Sequence, residues 1–186
     1  MEAFAVAREI LGKDSSSRTI VSQNSQRIDF LMHGDDGSTF FSRVEHLLKE
    51  EAVVLGMQHQ QLFVPWSQSS DFFRLVDRCI KTICDHDESS LPGYIISVKV
   101  RKSGILAMQY LVPIRYETLG EQEYLAKLER ALSQSAKVMS LLFLVCDAVV
   151  QKKGVLTESE CMQALYQGLA AVTVMPSADL ATGTRH

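Results

Sequence analysis

The sequence predicts an α+β fold: an antiparallel sheet built from repeated ββα units, with a long buried helix and a C-terminal helical hairpin. Three observations support this prediction. The stretches 30–50 and 62–82 read alike at an offset of 32 positions. Apolar and polar residues alternate through 94–101, and Lys102-Ser-Gly104 then supplies a turn with a glycine suited to a positive φ, which is typical of a β-hairpin. A capping box, Thr118 to Glu121, opens a helical pattern that runs to about residue 152.

The two similar stretches predict two equivalent strand–turn–helix units. Each begins with a short apolar strand, continues through a polar turn that ends in serine, and then has an amphipathic pattern. We therefore expect Phe40 and Phe72 at matching buried positions on two helices that pack against the same sheet face. The shared residues are Ser38, Phe40, Phe41, Val44 and Lys49 in the first stretch and Ser70, Phe72, Phe73, Val76 and Lys81 in the second.

The first part of the chain predicts a helix and a hairpin. Residues 2–12 place Phe4, Ala7, Ile10 and Leu11 on one helical face. Residues 19–23 and 27–33 read as strands joined by a turn at Asn24 and Ser25. The sequence Gly34-Asp-Asp-Gly37 is turn chemistry, and the spacing of Phe40, Val44, Leu47 and Leu48 predicts a helix after it.

The middle of the chain predicts further strands and a second helix. Residues 52–57 and 61–64 read as strands, and 71–84 as a helix with Phe72 on its core face. In the following hairpin we expect Tyr94, Ile96, Val98 and Val100 to face the helices and Lys99 and Arg101 to face solvent. The return strand, 105–112, is apolar on both faces and is predicted to be central in the sheet.

The last part of the chain predicts two helices. The second half of the long helix, 138–150, is apolar nearly all round and is expected to be buried in the domain or in a partner. A second capping box, Thr157 to Glu160, opens a last helix to about residue 173. We expect residues 1–175 to form a single α+β domain and residues 176–186 to be a disordered tail.

Composition restricts the possible classes of protein. The chain has 186 residues, 46% of them hydrophobic, and a net charge of −3. That balance argues against nucleic-acid or membrane-surface binding, for which a concentrated basic patch is expected. No signal peptide is predicted, because the apolar stretch that it requires is interrupted by Glu2, Arg8 and Glu9. The apolar run 138–150 is too short to span a bilayer. We therefore expect a cytoplasmic protein without a cofactor. We also expect its four cysteines to be buried free thiols: Cys79, Cys84, Cys146 and Cys161.

Two polar clusters suit a metal ion, and they define the enzyme alternative. In the first, His33, Asp35 and Asp36 offer an imidazole and two carboxylates beside glycines. In the second, Cys84 precedes the acidic stretch 85–88. Aspartate and glycine also form ordinary solvated turns, and we favour that interpretation. The alternative is a metal-dependent phosphoester hydrolase that uses the His33–Asp36 loop.

A second alternative is weak nucleic-acid binding. Lys99, Arg101, Lys102 and Arg115 form a small basic strip on the predicted hairpin, but no aromatic residue is interleaved with them on that face. A nuclease is disfavoured because Ser97 stands where an acid–x–Lys motif needs a carboxylate.

The predicted function is therefore a non-catalytic, protein-binding adaptor or chaperone-like assembly protein that acts as a homodimer. Trp66, beside Phe63, is a candidate binding anchor, since tryptophan contributes much interface energy; the same pattern also suits a ring that plugs the end of a core. The apolar second half of the long helix is the candidate dimer contact, because monomers seldom expose such a patch. Its candidate residues are Leu141, Leu144 and Val145.

Overall fold

The protein is α+β, with a large antiparallel sheet and three α-helices in the part of the chain that the structure describes. The computed structural model describes residues 3–13, 17–33, 39–59, 64–85 and 90–151, together with residues 159, 160, 163, 166 and 167. The helices are α1 (Ala3–Lys13), α2 (Ser69–Asp85) and α3 (Glu121–Gln151). The strands are β1 (Arg18–Gln23), β2 (Arg27–His33), β3 (Thr39–Leu47), β4 (Ala52–His59), β5 (Val64–Pro65), β6 (Tyr94–Arg101) and β7 (Gly104–Arg115).

The sheet is a meander to which a hairpin is added. Strands β1 to β4 pair in sequence, each antiparallel to the next. Helix α2 follows β5, and the β6–β7 hairpin then joins the sheet through β7. Strand β7 pairs with β4 and the short β5 along one edge and with β6 along the other. Consequently β7 is central, as its apolar sequence predicted, and β6 is an outer strand.

The described helices lie on one face of this sheet, here called the inner face. Helix α3 packs against β4 and β7, and α1 and α2 pack against α3. The hydrophobic core lies between the helices and this face, and each large apolar side chain that it buries fully stabilises the fold by about 1.5–3 kcal/mol. Its strand residues include Ile28, Phe30, Val44, Leu55, Met57, Tyr110 and Val112, and its helix residues include Ala7, Leu11, Phe72, Leu75, Leu128 and Leu132.

Several predictions for the first half of the chain are confirmed. The four predicted core residues of α1 are buried. The β1–β2 turn is closed by Asn24, whose Oδ1 accepts hydrogen bonds from the backbone N–H of Gln26 (2.9 Å) and Arg27 (2.8 Å). In α2, Phe72, Leu75 and Val76 are buried.

The predicted helix after Thr39 is wrong, because residues 39–47 form strand β3. Phe40 and Val44 are buried, as expected, but they lie on a strand that pairs with β2 and β4. A spacing of four residues returns to the same side both on a helix and on a strand, so it does not distinguish the two. The buried Ser42 between them shows the period of two. The two similar stretches are therefore not equivalent ββα units.

The predicted facing of the 94–112 hairpin is also wrong, although its strands and turn are confirmed. Tyr94, Ile96, Val98 and Val100 are exposed. Ile95 is the β6 residue that packs against the core, opposite the buried Tyr110. The alternating sequence determines which residues of β6 lie on the same side of the strand. The register with β7 determines which of the two sides faces the helices.

Gln134 on α3 fixes the position of this hairpin. Its Nε2 donates hydrogen bonds to the carbonyl oxygen of Leu91 (2.8 Å) and to Oη of Tyr110 (2.7 Å). Its Oε1 accepts a hydrogen bond from the backbone N–H of Leu91 (2.9 Å). Gly93 leaves room for this arrangement, because a Cβ there would overlap the Tyr110 hydroxyl. The segment before β6 is thereby tied to both α3 and β7.

Two other predictions concern the end of the chain. The long helix is confirmed, and it begins at Glu121, two residues later than expected. The predicted helical hairpin with a last helix to about residue 173 lies largely outside the described residues, and so does the tail 176–186.

Candidate functional site

The sheet face opposite the described helices, here called the outer face, is the candidate site. Cross-strand pairs place Leu31 beside Phe41, and Gly56 beside Leu111. Leu111 in turn pairs with Tyr94, and Gln109 pairs with Ile96, so the outer face continues onto β6. Since Leu31, Phe41 and Leu111 are half-buried and Tyr94 and Ile96 are exposed, this side of the sheet presents a partly apolar surface.

Large exposed apolar side chains are concentrated on strand β6. The exposed fraction is 52% for Tyr94, 37% for Ile96, 40% for Val98 and 54% for Val100. These residues form a row along the strand. Tyr94 and Ile96 lie on the outer face, but register shifts at Val98 and before Val100 interrupt the alternation, and Val100 pairs with the buried core residue Ile105. A row of this kind is typical of a surface that another molecule covers.

Trp66, which follows β5, lies against the tip of the β6–β7 hairpin. Its Nε1 donates a hydrogen bond to the carbonyl oxygen of Arg101 (2.9 Å), and 48% of the residue is exposed. Pro65, just before it, pairs with Gly104 at the start of β7. Gly104 has a positive φ of 157°, as the turn predicted, and a Cβ there would overlap the carbonyl oxygen of Val64. The indole is thus held in place by its N–H while much of the ring remains open to solvent.

A buried carboxylate anchors the other end of the outer face. Asp29 is 4% exposed, and its oxygens accept from Ser22 Oγ (2.8 Å), Arg43 Nε (2.8 Å) and Arg27 Nε (3.0 Å). Burial raises the pKa of Asp29, but the hydrogen bonds from Arg43 and Ser22 and the charges of Arg43 and Arg27 outweigh it. The net pKa therefore lies below its ordinary value, and the carboxylate is charged at neutral pH.

The predicted binding residues can be followed only in part. Trp66 is placed next to the β6–β7 hairpin, whereas Phe63 lies outside the described residues. Leu141, Leu144 and Val145 lie on the α3 backbone, but their side chains are also outside the described part of the chain. Their role in assembly stays a prediction.

The proposed metal ligands are also only partly within the described residues. The ring nitrogens of His33 lie within hydrogen-bonding distance of two hydroxyls, Thr19 Oγ1 (3.1 Å) and Thr39 Oγ1 (3.4 Å). Asp35 and Asp36 are outside the described residues, as are residues 86–88 of the second cluster. Within the described ranges, no group of three or more His, Cys, Asp or Glu residues is arranged to hold a metal ion.

An aromatic cluster on the inner face was not predicted from the sequence. Phe4 stacks on His46 with ring centroids 5.6 Å apart, and Nε2 of His46 lies 2.7 Å from Oη of Tyr116. Tyr116 packs edge-on against the buried Tyr124. Burial raises the pKa of Tyr116, and the charge of Glu51 adds to the effect. The cluster joins α1, β3, α3 and the end of β7, which gives it a structural role.

The sequence also failed to identify Tyr94 and Ile96 as outer-face residues. A signal was present, because Tyr94, Ile95 and Ile96 are all apolar, and such a run leaves an apolar residue on each face of the strand. On the outer strand β6, one face remains open in the described structure.

Comparison of the chain with protein-family models, with curated proteins and with solved structures gives no match. Among the described residues, none of the helices has the length and apolar character that crossing a membrane requires. The outer face is therefore the feature of the described structure that bears on function.

Proposed function

We propose that this chain is a non-catalytic protein-binding adaptor or chaperone-like assembly protein, and that it binds its partner through the outer face and strand β6. The observation that carries the proposal is the row of four exposed apolar residues on β6, from Tyr94 to Val100. Burying such a row against a partner removes apolar surface from water, which is the main driving force of protein association.

Trp66 supports the same surface. Tryptophan is enriched among the residues that contribute most binding energy, especially where its N–H is satisfied and its ring is available. Here the hydrogen bond to Arg101 fixes the ring beside the end of β6 before any partner arrives. A pre-positioned ring loses less conformational entropy on binding than a mobile one.

The homodimer is a separate part of the proposal. It relies on the apolar second half of α3, with Leu141, Leu144 and Val145 as contacts, and does not use β6. A two-fold contact through α3 would leave the row on β6 of each subunit available to a partner.

The experiment is affinity capture from the native cell with the wild-type chain and matched variants. The test variants are Ile96→Glu and Trp66→Ala. The control is Val21→Glu, which places the same charge at an exposed position, 56% accessible, on the opposite outer strand β1. We expect the wild type and Val21→Glu to enrich the same protein and both test variants to lose it.

Two results would contradict the proposal. One is equal enrichment of that protein by all four chains, and the other is the absence of any protein enriched by the wild type. Circular dichroism and thermal unfolding of each variant show whether a lost interaction reflects a changed surface or a lost fold.

A further inference from the structure

Strand β6 has one free edge in the described structure. Its residues pair with β7 along one side, and no other described strand pairs with it. The pairing is regular from Tyr94 to Ser97, and irregularities follow at Val98 and before Val100. The regular part therefore presents unpaired backbone donors and acceptors in strand geometry, which is a template for another extended chain.

The other outer strand makes a useful comparison. Strand β1 has six residues against eight in β6, and Arg18, Thr19, Ser22 and Gln23 make it mostly polar. It also packs against α1, and Arg18 Nη1 donates to the carbonyl oxygen of Ile10 (3.4 Å). Of the two edges, β6 is the longer and the more apolar.

The charge of the hairpin indicates what kind of chain fits this edge. Residues 94–115 contain Lys99, Arg101, Lys102 and Arg115 and no Asp or Glu, whereas the whole chain has a net charge of −3. Arg101 and Lys102 are exposed at the hairpin tip, and Arg115 is exposed at the far end of β7. Opposite charges across an interface speed association and select the partner.

We propose that the free edge of β6 binds an extended peptide segment in which every second residue is apolar and whose ends are acidic, and that the segment adds a strand to the sheet. This inference rests on the proposed protein-binding function and names its partner's chemistry. Backbone hydrogen bonds to the edge supply affinity, and alternate side chains supply specificity. Apolar side chains of the peptide lie beside Tyr94 and Ile96 on the outer face, and the carboxylates at its ends lie near Arg101 and Lys102 at the hairpin tip and near Arg115 at the far end of β7.

Charge and composition favour this occupant over two others. A second copy of β6 would bring further basic residues and no acidic ones, so it lacks the complementary charge. A single-stranded nucleic acid would need adjacent aromatic faces for stacking, but the exposed rings of Tyr94 and Trp66 lie at opposite ends of the hairpin, and the exposed apolar residues between them, Ile96, Val98 and Val100, are aliphatic.

The test measures, by fluorescence anisotropy, the binding of a fluorescein-labelled ten-residue peptide that has two glutamates at each end and alternating valine and threonine between them. The comparison probes are a peptide with lysine in place of each glutamate, a peptide of the same composition with the valines in one block, and labelled oligothymidylate. We expect the alternating acidic peptide to bind at least about tenfold more tightly than each comparison probe, which corresponds to about 1.4 kcal/mol.

The matched variants locate the bound peptide. Ile96→Glu is expected to weaken binding by about tenfold or more through charge repulsion and a lost contact, and Val21→Glu on β1 is expected to leave it unchanged. Amide hydrogen exchange of the wild type is expected to show new protection within 94–97 when the peptide is bound. Equal weakening by both variants, or protection only elsewhere, would overturn the proposal.

Other outcomes overturn the strand addition and leave the proposed function standing. They are preferred binding of oligothymidylate, dissociation of a dimer by Ile96→Glu, and failure of the peptide to bind while affinity capture still depends on Ile96. If the peptide fails and capture is also insensitive to Ile96, both proposals fail.

Discussion

At the scale of single residues, Gln134 shows how one buried amide positions a surface. It bonds to the backbone of Leu91 and to Oη of Tyr110, and Tyr110 pairs with Ile95 on β6. With Tyr110 held on the inner face, Ile95 also points inward, and the residues on either side of it point outward. The sequence could not predict this link, because Gln134 is separated by more than twenty residues from Tyr110 and more than forty from Leu91.

The first prediction concerns this amide. Gln134→Ala is expected to lower the free energy of unfolding by about 1–3 kcal/mol, because it leaves the buried Tyr110 hydroxyl without this partner. The matched control is Gln122→Ala, an exposed glutamine on the same helix, with an expected change within about 0.5 kcal/mol. Urea unfolding monitored by circular dichroism measures both. Equal effects from the two substitutions would contradict the assigned role of Gln134.

The second prediction concerns the pH dependence that Asp29 contributes. Its pKa in the folded protein lies below the ordinary value, so its stabilising effect is complete above the unfolded-state pKa of about 3.9 and is lost as pH falls through the folded-state value. Asp29→Asn is expected to be less stable than the wild type at neutral pH, and the difference should shrink as the solution becomes more acidic than about pH 4.

Denaturant unfolding across the acid range checks this prediction. Asp77→Asn is the control, because the Asp77 side chain is 63% exposed and its ion pair with Lys81 joins two positions on one helix. Exposed pairs of this kind contribute little. A stability difference for Asp29→Asn that stays constant from neutral to acid pH would show that its charge is not the cause.

At the scale of secondary-structure elements, the sequence predicted those that have local signals. The Asn24 turn, the Lys102–Gly104 turn and the start of α3 are set by residues close together in sequence. Strand β3 was misread as a helix, since Phe40 and Val44 fit both periods, and Leu47 and Leu48 complete a helical stripe. The likeness of 30–50 to 62–82 strengthened the error, because α2 is a helix and the corresponding residues of β3 are not.

The third prediction concerns Phe40 and Phe72, which occupy corresponding positions in the two similar stretches of sequence. Phe40 is 3% exposed and Phe72 is fully buried, so substitution of either by alanine is expected to cost about 3–5 kcal/mol. Phe73→Ala is the matched control, since this neighbour on α2 is 37% exposed and should cost less than about 1.5 kcal/mol. Thermal and urea unfolding measure all three. Similar losses for Phe72 and Phe73 would show that the helix face is assigned wrongly.

At the scale of the whole molecule, the α+β class and the antiparallel sheet followed from hairpins and helix caps alone. The strand order could not be predicted in the same way, because β7 pairs with β4 although β5, α2 and β6 lie between them in the sequence. That pairing makes β6 an outer strand and leaves its apolar side chains uncovered by the described helices. Of the candidate site, the sequence therefore predicted Trp66 alone. The exposure of the row on β6 depends on the strand order, which is a property of the tertiary structure.

The last prediction is self-association through the second half of α3. Helix α3 runs to Gln151, and residues 138–150 are apolar on every side of a helix. The inner face of the sheet can cover only part of that circumference, so a two-fold contact is expected to cover the remainder. Sedimentation equilibrium at micromolar concentration should show a dimer, and Leu144→Asp should shift it toward monomer by burying a charge.

The control is Ala126→Asp, which adds the same charge at an exposed position in the first half of α3 and should leave the dimer intact. A purely monomeric wild type would rule out the homodimer, and a Leu144→Asp protein that is folded and fully dimeric would rule out this interface. Ile96→Glu separates the two surfaces: it should abolish partner binding at β6 and leave the dimer unchanged. If it dissociates the dimer instead, β6 is the contact between copies, and the apolar half of α3 needs another explanation.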